Sequence, residues 1–181
     1  MGRQDATIDD LYRIGGKAEL VNGEILLMSP GGGLHGIVAG RIFASLLAYA
    51  DLTHTGSALP DNVGFLVNLE HRRSFSPDVA FTTQCLTRKF VDGAPTFAVE
   101  VKSEEDYGPA AEREMAAKRA DYFAAGTLVV WDVDFIREHV VRTFRASAPE
   151  TPTVYHRGDR ADAEPAVPGW SMLVDDVFKD S

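Results

Sequence analysis

Thr96-Phe97-Ala98-Val99-Glu100-Val101-Lys102 is the stretch whose reading decides the fold. Side chains on a strand alternate between faces, so Phe97, Val99 and Val101 share one side while Glu100 and Lys102 share the other. The apolar side marks a buried strand. The charged side needs a reason, because buried charge is costly unless it is paired or bound to a metal. Upstream, Pro77-Asp78 opens a second strand running to Phe81, with proline at the one strand position that tolerates it best. If the two strands are neighbours, Asp78 and Glu100 converge. Magnesium takes carboxylate oxygens, usually one or two with several waters. Asp78 and Glu100 are therefore candidate ligands for Mg²⁺, with Mn²⁺ as the alternative ion, and the Val101 carbonyl offers a further oxygen. Lys102 would stand beside the metal, to orient or deprotonate a water and to steady a phosphate. The competing reading of Asp78, Glu100 and Lys102 is a structural ion-pair network with no metal.

Working outward, Thr7 followed by Ile8-Asp9-Asp10-Leu11 reads as a short capped helix ended by Gly15-Gly16. Residues 19–22 and 24–28 read as strands joined at Asn22-Gly23, a strong hairpin signal. After the glycine run at 31–33, the spacing of Ile37, Ile42, Leu46 and Tyr49 predicts a helix over 34–50. His35 opens that helix, where anions settle, and is a candidate site residue on that ground. Strands are predicted at 54–58 and 63–69, a helix over 108–125 ended by Gly126, and strands at 128–133 and 139–144. From Ala146 to Pro168 the chain is turn-rich, with a short strand at 153–155, and a last helical turn covers 174–178. Helices and strands alternate, which gives an α/β class with a mixed sheet. The expectation is one domain over 1–181, with a core at about 7–145 and an extension over 146–181.

Composition bounds the function. Acidic residues number 27 and basic ones 18, for a net charge of -9. Nonspecific binding to nucleic acid leans on a basic surface, so a wide electrostatic footprint is disfavoured, while a local or metal-bridged contact is not. Arg72-Arg73 and Arg88-Lys89 read as solvated faces. The single cysteine, Cys85, rules out an intrachain disulfide and any site built on several thiolates. No signal-peptide pattern and no apolar stretch of membrane length stand out, so the expectation is a cytoplasmic protein with no membrane partner. The glycine run at 31–33 lacks the Gly-Lys-Ser/Thr of a nucleotide-binding phosphate loop and reads as a turn.

Pro77-Asp78 followed by Glu100-x-Lys102 resembles the PD-(D/E)XK nuclease superfamily, whose fold is restriction-endonuclease-like. Further pieces match one branch of it, the bacterial Uma family. They are Glu19-Leu20-Val21-Asn22-Gly23-Glu24, Met28-Ser29-Pro30, His35-Gly36, Pro77-Asp78-Val79, Val99-Glu100-Val101-Lys102-Ser103, and Lys118-x-x-x-Tyr122 with Gly126 before Val-Val-Trp-Asp-Val. Their order over residues 7–145 is far more specific than the core motif alone. The family's stretch after Glu-x-Lys usually carries serine and proline; here Ser103 is followed by Glu104. The resemblance implies a central mixed sheet flanked by helices and a metal-dependent phosphodiesterase centre at Asp78, Glu100 and Lys102. It also implies that Glu19 completes the metal shell, and that Lys118 and Tyr122, one turn apart on a helix, face the site.

The function expected is a magnesium-dependent endonuclease cutting DNA, working as a homodimer because two strands need two sites. The alternative is a non-catalytic module that binds protein or nucleic acid on the same fold. A third possibility is a phosphodiesterase acting on RNA or a small phosphate ester.

Overall fold

The alternation in the 96–102 stretch divides the molecule into two sides, and each side is covered by one long helix. A computed structural model describes residues 5–179. In chain order the elements are α1 (Ile8–Tyr12), β1 (Ala18–Val21), β2 (Glu24–Leu27), α2 (Gly33–Thr53), β3 (Ser57–Leu59), β4 (Phe65–Leu66), β5 (Ser74–Phe75), β6 (Val79–Thr82), β7 (Val91–Asp92), β8 (Phe97–Val101), α3 (Pro109–Ala124), β9 (Val129–Asp134), β10 (Val140–Arg145), β11 (Ala148–Tyr155), β12 (Arg160–Asp162), β13 (Ser171–Leu173) and α4 (Val174–Val177). The central sheet has six strands in the order β11-β10-β9-β8-β6-β3. Its only parallel pair is β8 with β9, which is the pair that α3 connects. The fold is the expected mixed α/β sheet flanked by helices.

Phe97, Val99 and Val101 pack with Val79, Phe81, Trp131 and Val133 beneath α2, which supplies Val38, Ile42 and Leu46. Ala98, Ala80 and Val130 face the other way, towards Tyr122 of α3 and Phe65 and Phe75. The register Val79↔Val99 and Ala80↔Ala98 makes β6 and β8 antiparallel neighbours, and one residue further it sets Asp78 across from Glu100.

Local signals were read correctly at several turns. Thr7 and Asp10 form a reciprocal capping box at α1. Val21 pairs with Glu24 across Asn22 and Gly23, whose φ values of 51° and 71° are those of a tight hairpin turn. Two expectations change. The stretch after Ala146 holds a long strand, β11, on the edge of the sheet. There Pro149 and Pro152 fall between the paired residues Ala148 and Thr153, where the register with β10 shifts, so prolines that look like turns sit inside an edge strand. And α2, 21 residues long with a mean hydropathy of 1.3 over an 18-residue window, is long and apolar enough by length and composition to cross a membrane, contrary to the sequence expectation. In this fold it lies on the sheet, burying Val38, Ala39, Ile42, Leu46 and Ala50, while Ile37 points outward.

The C-terminal residues are part of the main core. Trp170 sits 5.1 Å from the Trp131 ring and 5.7 Å from Phe97, and its indole N–H donates to Ser45 on α2. Trp170→Ala is expected to destabilise the whole domain by about 3–5 kcal/mol, as deletions of large buried aromatics do. Urea unfolding would show it as one lowered transition. A change below about 1 kcal/mol would make residues 146–179 an appendage instead.

Candidate active site

Asp78 stands at the mouth of β6, where Pro77 fixes the chain and the Asp78 amide donates to the Val99 carbonyl at 3.0 Å. The residue is 5% exposed and its carboxylate is fully engaged. Oδ2 accepts the Val101 amide at 2.7 Å, and Oδ1 accepts the Lys17 ammonium at 2.6 Å. His35, reaching over from the start of α2, places Nε2 at 3.4 Å from Asp78 Oδ2 and 3.1 Å from the Val101 carbonyl oxygen. Burial alone would raise the Asp78 carboxyl. The His35 hydrogen bond and the Lys17 charge outweigh it and hold the acid well below the ordinary carboxylate range. In return, the hydrogen bond to Asp78 raises His35 above its usual value against the opposing effect of burial.

Glu100 faces Asp78 from β8. Its Oε1 accepts Tyr122 Oη at 2.6 Å and Lys118 Nζ at 2.8 Å, both from α3. Among the described residues its Oε2 accepts no hydrogen bond, and the side chain is 20% exposed, so that oxygen is open to a ligand. Burial pushes the Glu100 carboxyl upward; Lys118 draws it down, and Asp78 and Glu19 push it up again, with a net rise. Tyr122, fully buried and stacked on Phe75 at 4.0 Å, is both a core residue and the hydroxyl that positions Glu100. Lys118 and Tyr122 thus meet the site as the resemblance implied.

Glu19 is engaged by the chain's own donors. Its Oε2 takes Arg72, and its Oε1 takes the Ser76 amide at 2.9 Å and Lys118 at 3.0 Å. Both of its oxygens are taken by a guanidinium, an amide and an ammonium, so the metal-shell role that the resemblance implies would require these contacts to open. Glu19 fixes Lys118, which bridges Glu19 to Glu100. Burial would raise Glu19, but Lys118 and Arg72 together bring it below its ordinary value. Arg72, expected on a solvated face, is 7% exposed and joins Glu19 to Asp121, whose Oδ2 it meets at 2.7 Å. Arg73 beside it is exposed.

Lys102 is also placed differently. It shares the face of Glu100, as the alternation required, but its ammonium donates to Glu112 Oε1 and lies 5.0 Å from the Tyr107 ring centre. It lines a separate cleft of about 430 Å³ with Arg119, Asp132 and Arg137, and neither Asp78 nor Glu100 borders that cleft. In the same cleft, burial pushes the Asp132 carboxyl up to about 7 in spite of its partner Arg119. Asp78 and Glu100 therefore converge as expected, while Lys102 is held apart. The ammonium groups that meet the carboxylates are Lys17 and Lys118. Lys17 escaped the sequence reading, although it lies two residues before Glu19 and so shares its parity on the hairpin strand.

The donor chemistry suits a divalent ion. Among the described residues no three His, Cys, Asp or Glu side chains form a ready metal cage. Magnesium does not need one, since it keeps waters and takes one or two carboxylates. The observation that bears on the fit is that Asp78 Oδ2 and the Val101 carbonyl both approach one point, now held by His35 Nε2, at the sheet end where the register sets Glu100 across from Asp78. Oxygens that gather around one imidazole nitrogen can gather around a metal.

A family model described as "Putative restriction endonuclease", Uma2, matches residues 7–175. The chain belongs to the Uma2 family. The match runs past residue 145, through the C-terminal strands that share the core. Among solved structures, a crystal structure described as a putative nuclease belonging to DUF820, from Anabaena variabilis ATCC 29413, is similar with a TM-score of 0.75. The likeness covers 96% of this chain and 97% of that one at 15% identity, and at that identity it shows the fold alone. No match was found among curated proteins.

The Arg72 pairs give this Uma2 protein a testable core of charge. Arg72→Met leaves Glu19 and Asp121 short of a buried cation, and is expected to cost about 3–5 kcal/mol in urea unfolding. Adding Glu19→Gln should recover part of the loss. A cost under about 1 kcal/mol would return Arg72 to the solvated class.

Proposed function

We propose that this Uma2 protein is a metal-dependent endonuclease, acting in the cytoplasm on DNA and hydrolysing phosphodiester bonds with a metal-activated water. The family and the fold support a nuclease. The observation that carries the finer reading is the approach of Asp78 Oδ2 and the Val101 carbonyl to one point, with Glu100 across from Asp78 in the sheet register and one Glu100 oxygen free of hydrogen bonds among the described residues. In this reading Asp78, Glu100 and Val101 hold Mg²⁺ or Mn²⁺. When bound, such an ion lowers the pKa of a coordinated water and neutralises charge developing on the phosphate. The protein's own residues do the rest. Tyr122 and Lys118 fix one Glu100 oxygen, leaving the other free to turn to the site. The Val101 amide orients Asp78. Lys102, two residues beyond Glu100 on the same face, is the motif's lysine for steadying the attacking water, and to do so it has to leave Glu112. His35 and Lys17 supply positive charge where a phosphate would arrive.

A non-catalytic binding module is the second reading, and the net charge of -9 favours it. Against it stands the cost of keeping Asp78 buried and ionised with no use for it. Supercoiled plasmid and single-stranded RNA, each with Mg²⁺ or Mn²⁺, separate the readings. Cleavage of DNA is expected, with Asp78→Asn and Glu100→Gln each lowering the rate by about a hundredfold or more. Cleavage of RNA alone would change the substrate class. No cleavage of either, or equal cleavage by the variants, would leave the binding module.

We also propose a homodimer, with the second copy against α2. From Leu34 to Ala48 every exposed position on that helix is apolar or glycine, including Leu34 at 53%, Ile37 at 49% and Leu47 at 38% exposure. A two-fold axis brings the same patch of both copies together, so an uncharged face can meet itself. Light scattering should give twice the 19.7 kDa chain mass, and Ile37→Asp should halve it. A wild-type monomer would end the dimer proposal.

A further inference from the structure

Asp78 offers its oxygens to a metal in the reading above, yet in the folded chain a side chain already holds one of them. Lys17 Nζ lies 2.6 Å from Asp78 Oδ1 and 2.8 Å from Asp61 Oδ1. The two acids differ in setting. The Asp78 side chain is 7% exposed, whereas Asp61 is 49% exposed on the Pro60-Asp61-Asn62 turn. That turn is held by the Asn62 amide donating to Asp61 Oδ1 at 2.7 Å, with Asn62 in the left-handed region at φ 65°. Lys17 itself is fixed at the foot of the β1–β2 hairpin, where its carbonyl accepts the Met28 amide. Its ammonium therefore has two seats on anchored segments, one inside the site and one at its rim.

A buried carboxylate with no counter-charge destabilises a fold by several kcal/mol, so before any metal arrives Asp78 requires a resident cation. Lys17 meets that need. A divalent ion on Oδ2 would stand beside the ammonium on Oδ1 of the same carboxylate, and two cations on one carboxylate repel, so the ion's double charge is set directly against Lys17.

We propose that Lys17 is the resident counter-cation of Asp78, displaced by the incoming divalent metal, with Asp61 as the seat that keeps it at the rim of the site. Lys17 is thus a positioning residue that sets metal affinity and keeps the apo site folded. This rests on the metal-site reading of Asp78 and Glu100.

Calorimetric titration of Mn²⁺ into the full chain tests it without an activity assay. Lys17→Met is expected to bind Mn²⁺ about tenfold more tightly than wild type, because the ion no longer competes with an ammonium. The metal-free Lys17→Met protein should melt lower than wild type and gain more from Mn²⁺. Asp61→Asn should weaken Mn²⁺ binding in wild type, by leaving Lys17 wholly on Asp78, and should lose most of that effect in the Lys17→Met background. Lys17→Gln serves as the second variant if Lys17→Met does not fold. Suppose Mn²⁺ binds wild type, is lost in Asp78→Asn, and is unchanged or weaker in the Lys17 variants. The counter-cation role is then overturned and the metal site stands. If no variant binds Mn²⁺, alone or with a short duplex present, the metal-site reading falls and takes this inference with it.

Discussion

A carboxylate withdrawn from water must meet a cation close at hand, and that constraint organises the α3 side of this protein. Glu19, Asp78 and Asp132 are nearly inaccessible, and Glu100 is only partly open. Their partners come from four parts of the chain: Arg72 ahead of β5, Lys118 and Arg119 on α3, Lys17 ahead of β1, and the His35 imidazole on α2. Each pairing ties a distant element to the central sheet. The Glu19–Lys118–Glu100 chain of contacts fastens the N-terminal hairpin to α3 and α3 to β8. Charge here is a fastening as well as a site. Removing one partner leaves an uncompensated ion, whose penalty exceeds what an exposed pair contributes.

The two faces of β8 have different duties because strand geometry separates them. Under α2 the sheet is apolar throughout, with Phe97, Val99, Trp131 and Trp170 in ring contact or close packing. Towards α3 the same strands carry Ala80, Ala98 and Val130, then Asp78, Glu100 and Asp132 at their ends. The small alanines let α3 approach, so that Tyr122 can be fully buried and still deliver its hydroxyl to Glu100. Packing on one side holds the strands rigid, and the rigid ends aim the carboxylates on the other. A site on strand ends is better defined than one on loops, as a metal with exacting geometry requires.

What could be read from the sequence was what is local. Strand alternation placed Glu100 and Lys102 on one face, and Asn22-Gly23, Thr7 and Gly126 punctuated the chain where expected. The core motif stood out because Pro77-Asp78 and Glu100-x-Lys102 are short patterns inside apolar runs. The rest depends on partners far apart in sequence. Arg72 looked solvated because its acids, Glu19 and Asp121, are 53 and 49 residues away. Lys17 meets Asp78 across 61 residues. β4, β5 and β7 have two residues each, too few for any period to show. β11 was hidden by prolines that only an edge strand accepts.

Lys102 is the instructive case, because its position was legible and its contact was not. Alternation fixes the direction of Cβ, while a lysine's four-carbon stem leaves the ammonium a wide arc. Within that arc the nearest acids compete. Asp78 has Lys17 and His35, and Glu100 has Lys118, so each candidate acid is already neutralised by a cation of its own. Glu112, half-exposed on the first turn of α3, is the acid left for Lys102, and the ammonium goes there. A motif lysine can therefore share a face with its carboxylates and still be held off them, because the occupancy of those carboxylates decides where it rests. A divalent ion entering at Asp78 would unseat Lys17 and His35 and rearrange the charge that Lys102 senses. In this chain the cations already seated on Asp78 and Glu100 decide where the Lys102 ammonium rests.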